Sequence, residues 1–271
     1  MKAAIDIGSN SVRLGINGTK RSVITKLADG IATTGRLSPS GVKATLDAVC
    51  SFVKDAEGAD IKIFATEAVR RAADGKEFTA ELARLTGHEV IVLSAEQEAA
   101  CALKGAKKPS GAVSVCDLGG GSMELISAKD GINPDYIKSL PLGVVVLKNM
   151  FDGDYRKAID AAPALVEQYG ETKNYPLVMI GGSACSLATA ALDLPYYDGS
   201  KVNGTYISSA MLDDMMPMLL SPKLAVFRPV CAKRADTLPY GAIIIQALLN
   251  KLGLDGFTVS DGDNLDAMID A

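Results

Sequence analysis

Two short polar turns carry the residues best suited to chemistry in this 271-residue chain. The first turn reads Asp6-Ile7-Gly8-Ser9-Asn10-Ser11, and the second reads Asp117-Leu118-Gly119-Gly120-Gly121-Ser122. In both turns an Asp is followed by Gly two positions later and by Ser five positions later. Such a turn exposes backbone N–H groups and a hydroxyl that can hold phosphate oxygens. An Asp at the end of a strand can hold Mg²⁺ directly or through water, so Asp6 and Asp117 are candidate metal ligands.

The elements that position these turns follow from the repeat. Each turn lies between two strand-like apolar segments, which indicates two related halves with a ligand between the facing turns. Helical periodicity over about residues 40–56, 78–85, 95–104, 155–168, 208–220 and 234–252, with short strands between, indicates an α/β fold. The stretch 104–110 is rich in Lys, Gly and Pro and is the expected hinge. We therefore expect an N-terminal domain over residues 1–108 and a C-terminal domain over 109–271.

Composition excludes several classes of protein. Hydrophobic residues make up 48 % of the chain and charged residues 22 %, which is typical of a globular protein. The net charge of −4 argues against a partner such as nucleic acid or an anionic membrane. A single His and five widely spaced Cys cannot form a usual zinc site. The N-terminus does not resemble a signal peptide, so we expect a cytoplasmic protein with reduced thiols.

Seven motifs occur in an order typical of one family: DIGSNSVRL, ATEAVR, SAEQEA, DLGGGSMEL, LPLGVVVL, GGSACSLA and KRADTLPYGA. On these residues the chain resembles the exopolyphosphatase / guanosine pentaphosphate phosphatase family, from Lys2 to about Asp261. The resemblance implies two ribonuclease-H-like domains of the superfamily that contains actin, sugar kinases and heat-shock chaperone ATPases. It places the active site in the cleft between the domains. The two turns are common to that superfamily, whereas ATEAVR and SAEQEA are specific to the phosphatases.

The resemblance also implies roles for individual residues. Glu98, the last carboxylate of SAEQEA, matches a base that activates water, and Arg70 of ATEAVR matches an arginine that stabilises phosphate. Asp117 and Glu124 match acidic residues near the metal, so the expected ligands of Mg²⁺ or Mn²⁺ are Asp117, Glu124 and Asp6. The expected phosphate cradle comprises Asn10, Ser11, Gly120, Gly121 and Ser122. Because the chain has only one His, a carboxylate is also the natural acceptor for a proton of water.

The chain departs from the family pattern at three places. In SAEQEA, Ala95 replaces the usual Gly and Gln97 replaces a frequent Glu, which leaves the number and affinity of metal ions open. After Val259-Ser260-Asp261-Gly262 the chain continues as Asp263-Asn264-Leu265-Asp266, where the family typically has Leu-Arg-Glu-Gly. The helical His-Asp domain of longer members has no counterpart, so the chain is expected to be a short form that grips only the end of a polyphosphate.

The resemblance favours a metal-dependent exopolyphosphatase that removes the terminal phosphate of inorganic polyphosphate through water activated by a Glu. A 5′-phosphatase acting on pppGpp is the nearest alternative. A small acyl or sugar kinase and a non-catalytic polyphosphate or nucleotide sensor are alternatives of other classes. The expected partner is polyphosphate or pppGpp, with a homodimer left open. The turn 181–183 matches either an adenosine-contacting turn or a plain connection from strand to helix.

Overall fold

The computed structural model describes residues 1–224 and 229–270, and its first half is built on a five-stranded mixed sheet. The strands are β1 (Lys2–Ile7), β2 (Ser11–Ile16), β3 (Thr19–Ile24), β4 (Asp60–Ala65) and β5 (Val90–Val92). Their order is β3-β2-β1-β4-β5. The first three strands form an antiparallel meander, and β4 and β5 run parallel to β1. The first turn therefore lies in the β1–β2 hairpin.

The second sheet repeats this topology. Its strands are β6 (Val113–Leu118), β7 (Met123–Ala128), β8 (Tyr136–Leu140), β9 (Leu177–Ile180), β10 (Tyr206–Ser208) and β11 (Gly256–Val259). The order β8-β7-β6-β9-β11 matches that of the first sheet, and β10 adds an antiparallel edge strand. The second turn lies in the β6–β7 hairpin, which is the counterpart of β1–β2. The predicted α/β fold with two related halves is confirmed.

Helices cover both sheets. They are α1 (Ile31–Thr34), α2 (Pro39–Asp55), α3 (Glu67–Arg71), α4 (Gly75–Thr86), α5 (Ala95–Gly105), α6 (Val144–Phe151), α7 (Tyr155–Val166), α8 (Gly182–Ala191), α9 (Gly199–Val202), α10 (Ser209–Leu219), α11 (Leu238–Leu252) and α12 (Asn264–Asp270). Among the described residues, two 3₁₀ helices span Glu167–Tyr169 and Pro229–Arg234. The helix expected from residue 234 starts at Leu238 instead, since Pro239 favours the first helical turn. Within the described ranges, none of these helices has the length and apolarity needed to cross a membrane.

Two helices cross between the halves. Helix α5 precedes residue 108, yet Ala99, Ala102 and Leu103 pack in one core cluster with side chains of the second sheet. The C-terminal helix α12 returns to the first sheet, where Leu265 and Met268 pack in another cluster. The domain boundary at residue 108 stays a prediction. It is a boundary in sequence, and α5 and α12 each pack on the sheet from the other side of it. The crossing of α12 brings residues 263 and 264 to the cleft between the sheets.

Candidate active site

The two predicted turns have the same local geometry and face each other across a cleft. The Gly8 N–H donates to the Ser11 carbonyl, and the Gly119 N–H donates to the Ser122 carbonyl, both with an N···O distance of 3.0 Å. A Cβ atom on Gly120 would lie 2.9 Å from Ser9 Cβ, so the turns touch through that glycine. Eight of the ten predicted site residues line the cleft: Asp6, Asn10, Ser11, Glu98, Asp117, Gly120, Gly121 and Ser122.

The second turn is closely packed at its centre, where a larger residue would displace neighbouring side chains. A Cβ atom on Gly121 would lie 2.0 Å from Glu67 Oε2, a carboxylate contributed by α3 of the first half. The backbone of the turn is also fixed from behind, since the Val145 N–H at the start of α6 donates to the Gly120 carbonyl at 2.9 Å. The packing holds the turn in a fixed conformation. In such a turn the N–H groups that take no part in these contacts can bind a ligand.

Three buried carboxylates lie close together at one end of the cleft. Asp117 and Glu124 are directly opposite in the β6–β7 pair, which places both side chains on one face of the sheet. Glu98 reaches them from α5 and is 5 % exposed. Burial, together with the charges of Glu124 and Asp117, raises the pKa of Glu98 to about 9. Burial and the charge of Glu124 raise the pKa of Asp117 to about 7. Carboxylate charge in this cleft therefore exceeds what the nearby cations neutralise.

Two predicted residues are beside the cleft rather than on its lining. The Arg70 guanidinium donates to Glu98 Oε2 at 3.1 Å and to the Leu93 carbonyl at 2.6 Å, so its visible partner is the expected base. Glu124 Oε1 accepts a hydrogen bond from the Ser139 hydroxyl at 2.7 Å. Burial raises the pKa of Glu124, while hydrogen bonds from the Ser139 and Ser122 hydroxyls lower it. The phosphate-binding role of Arg70 stays a prediction.

The sequence analysis missed a buried ionic network on the floor of the cleft. Arg13 of β2 forms ion pairs with Asp6 and with Asp263, which is distant in sequence. Lys20 also contacts Asp263, at 3.5 Å. The next residue, Asn264, donates through Nδ2 to Asp117 Oδ2 at 2.8 Å. The only signal in the sequence was the departure from the family pattern after Asp261, which by itself names no partner.

Arg234 is a second cation that the sequence analysis did not single out. It lines the cleft beside the turn between β9 and α8, where a Cβ atom on Gly182 would lie 2.2 Å from the guanidinium. A larger residue at position 182 would therefore displace the Arg234 guanidinium from this turn. Burial and the charge of Arg13 lower the pKa of Arg234. Among the described residues Arg234 has no salt-bridge partner, although the charge of Asp236 opposes this lowering of its pKa. A half-buried guanidinium that lines the cleft without a direct carboxylate partner is suited to an anionic ligand.

The acidic side chains of the cleft form only part of a site for a divalent cation. Within residues 1–224 and 229–270, no three acidic, His or Cys side chains converge as a metal-binding group. The predicted trio Asp6, Asp117 and Glu124 is therefore not a preformed three-ligand site, because Asp6 is paired with Arg13 and Glu124 accepts from Ser139. Asp117 remains suitable, because Mg²⁺ is often held by one or two carboxylates plus waters and substrate phosphates. The carboxylate excess of the cleft favours such a cation.

Comparisons with known proteins agree with this geometry. A family model described as the Ppx/GppA phosphatase family matches residues 17–264. The chain belongs to this family. That result confirms the resemblance read from the seven motifs, and with it the prediction of a phosphatase.

Relatives of this Ppx/GppA family member cover nearly all of it. Exopolyphosphatase 2 of Mycobacterium tuberculosis is 27 % identical over 98 % of this chain and 96 % of its own length. The guanosine-5′-triphosphate,3′-diphosphate pyrophosphatase of Aeromonas hydrophila is 26 % identical over 96 % of this chain, which spans 57 % of that protein. The crystal structure of the Aquifex aeolicus Ppx/GppA protein has a TM-score of 0.80 and 28 % identity, over 98 % of this chain and 95 % of that one. The two-domain fold implied by the motifs is confirmed.

The raised carboxyl pKa values predict a stability that falls with pH when no ligand is bound. In the folded protein the pKa of Glu98 is about 9 and the pKa of Asp117 is about 7. In an unfolded chain the pKa of each carboxyl group is about 4. The folded state therefore retains protons that the unfolded state releases. By linkage, the stability from this protonation is complete below about pH 4 and is lost as the pH rises toward 9.

This effect can be measured by thermal unfolding in EDTA between pH 5 and 9. At pH 5 we expect Glu98→Gln to unfold at nearly the same temperature as the wild type. As the pH rises, the unfolding temperature of the variant should exceed that of the wild type by a growing margin. A constant difference between the two proteins over this range would contradict the prediction.

Proposed function

We propose that this Ppx/GppA family member hydrolyses the terminal phosphoanhydride bond of inorganic polyphosphate. One observation carries the proposal: two facing phosphate-type turns enclose a cleft that holds a buried carboxylate, Glu98, and a half-buried cation, Arg234, which has no salt-bridge partner among the described residues. Oxygens of a terminal phosphoryl group would be bound by backbone N–H groups of the second turn, by the Ser11 hydroxyl and by Arg234. Fixed donors of this kind stabilise the charge that develops during phosphoryl transfer.

In the proposed reaction Glu98 acts as the general base. Its Oε2 accepts a hydrogen bond from Arg70 at 3.1 Å, which leaves Oε1 to accept a proton from the attacking water. The water oxygen forms a bond to the terminal phosphorus while the bond from phosphorus to the bridging oxygen breaks. The products are orthophosphate and a chain shorter by one phosphate, and the proton on Glu98 passes to solvent as the products leave.

A divalent cation, Mg²⁺ or Mn²⁺, completes the proposal. Asp117 would hold it together with phosphate oxygens and waters, and the cation would neutralise charge on the transferred group. Bringing positive charge into the cleft would also lower the pKa of Glu98 from about 9 and favour its basic form.

We propose polyphosphate ahead of pppGpp as the substrate on the basis of the relatives that this chain matches. The relative named exopolyphosphatase 2 in M. tuberculosis matches 98 % of this chain and 96 % of its own length, and pppGpp stays the alternative because the A. hydrophila pyrophosphatase also matches 96 % of this chain. The deciding experiment measures phosphate release from long polyphosphate, tripolyphosphate and pppGpp, each with EDTA, Mg²⁺ or Mn²⁺. Faster turnover of pppGpp would reverse the preference, and binding without turnover of any substrate would indicate a sensor.

Arg234 provides a direct test of the proposed phosphate site. A hydrogen bond to a charged group contributes about 1.5–3 kcal/mol, so Arg234→Gln is expected to lower kcat/KM by about 10- to 150-fold. The adjacent Lys233 is exposed and does not line the cleft, so Lys233→Gln is the matched control and should leave kcat/KM unchanged. Equal effects of the two substitutions would show that Arg234 does not bind the substrate.

A further inference from the structure

Asn264 connects the two halves of the molecule inside the cleft. It is the first residue of α12, is 2 % exposed, and lines the cleft together with Asp6 and Asp117. Helix α12 packs on α5 and on the first sheet, whereas Asp117 lies on β6 of the second sheet. The hydrogen bond from Asn264 Nδ2 to Asp117 Oδ2, 2.8 Å long, therefore fixes the Asp117 carboxylate from the opposite half.

The oxygen of the same amide has no hydrogen-bond donor among the described residues. Asn264 Oδ1 is buried and accepts no hydrogen bond from residues 1–224 or 229–270. In the same cleft, Asp6 Oδ1 is likewise buried without a donor in those ranges, although Asp6 Oδ2 is paired with Arg13. Buried acceptors normally have partners. Two such atoms in the cleft that contains Asp117 indicate a ligand that supplies donors.

The chemistry of the cleft limits what that ligand can be. A phosphate chain near neutral pH presents mainly acceptor oxygens, so it does not satisfy two acceptors. Waters bound to a divalent cation donate hydrogen bonds, and Mg²⁺ usually keeps several of them. A carboxylate with acceptors nearby therefore suits a hydrated cation.

We propose that Asn264 is a positioning residue for a hydrated divalent cation. Its Nδ2 orients Asp117, which would bind the cation, and its Oδ1 accepts a hydrogen bond from a water of that cation. Asp6 Oδ1 accepts from a second water, so of the direct and water-mediated roles that the sequence left open for Asp6, the inference takes the water-mediated one. The inference rests on the cation that the proposed function assigns to Asp117.

The test is Mn²⁺ binding to the whole chain in the presence of inorganic phosphate, which supplies the phosphate oxygens, measured by electron paramagnetic resonance and by the relaxation of water protons. Leu resembles Asn in size but has no hydrogen-bonding group, so Asn264→Leu removes both contacts. Loss of a residue that orients a metal ligand typically weakens metal binding 10- to 100-fold. We expect a rise of that size in the Kd for Mn²⁺. A Kd unchanged from the wild type would overturn the inference.

A matched control separates the amide from the packing of its helix. Met268 is on α12 and packs in the cluster with Ala4 and Phe64, away from the cleft lining. Met268→Leu should leave the Kd for Mn²⁺ unchanged, and an equal loss in both variants would overturn the inference. Should Asn264→Leu fail to fold, Asn264→Ser is measured with the same criteria.

The outcomes also distinguish this inference from the proposed function. Wild-type protein that binds no Mn²⁺ overturns the assigned cation and this inference together. Wild-type binding that Asn264→Leu does not weaken overturns only the role of Asn264.

Discussion

Replacing Glu98 with Gln is expected to lower kcat by about 10²- to 10⁴-fold, the usual contribution of a general base. Gln has nearly the same size and can still accept the hydrogen bond from Arg70, but it cannot take a proton from water. Glu98 is buried and lines the cleft, so carboxylates on the protein surface cannot take its place beside the water. Substrate binding should be nearly unchanged, which a titration with tripolyphosphate measures alongside phosphate release.

Glu96 offers a matched control on the same helix. It is exposed in the first turn of α5, and its carboxylate accepts a hydrogen bond from the Ser94 hydroxyl at 2.8 Å. Glu96→Gln should leave kcat unchanged. If Glu98→Gln retains more than about a tenth of the wild-type kcat, well above the range expected for loss of a base, another group accepts the proton.

The second large effect is expected for Gly120→Val. A Cβ atom on Gly120 would lie 2.9 Å from Ser9 Cβ and 3.2 Å from the Asn10 backbone nitrogen, and the γ-methyl groups of Val need more room still. The two turns must then move apart, and a displacement of about 1 Å in an active site can cost about 10²-fold in rate. We expect kcat/KM to fall by at least about that factor, because the donors on the two turns no longer converge on one phosphoryl group.

A remote glycine controls for the general cost of a clash. A Cβ atom on Gly256 would lie 2.5 Å from the Ile207 carbonyl oxygen, in the β10–β11 pair at the edge of the second sheet. Gly256→Ala should lower the unfolding temperature but leave kcat/KM per folded molecule unchanged. Near-wild-type kcat/KM in folded Gly120→Val would show that contact between the turns is not needed for activity.

The sequence alone determined the parts of this protein that depend on neighbouring residues. Each phosphate-type turn is a local strand–turn–strand unit, so the Asp, Gly and Ser spacing sufficed to predict two hairpins, which occur as β1–β2 and β6–β7. The helix that carries Glu98 was predicted over 95–104 and spans Ala95–Gly105. Its start is defined by Ser94 and Gln97, which bond to each other's backbone in a capping box.

Only the tertiary structure decided which charges meet in the cleft. Arg13 pairs with Asp263, and Asn264 bonds to Asp117, across 250 and 147 residues of chain respectively. Neither spacing has a periodicity that a sequence pattern can reveal. Both contacts depend on α12, a seven-residue helix that returns to the first sheet. Likewise, Asp6 looked like a metal ligand from its place at a strand end, but the packing of β2 beside β1 places Arg13 opposite it. Local sequence thus fixed the turns and the helix that carries Glu98, whereas the packing of the two halves fixed the partners of each charge.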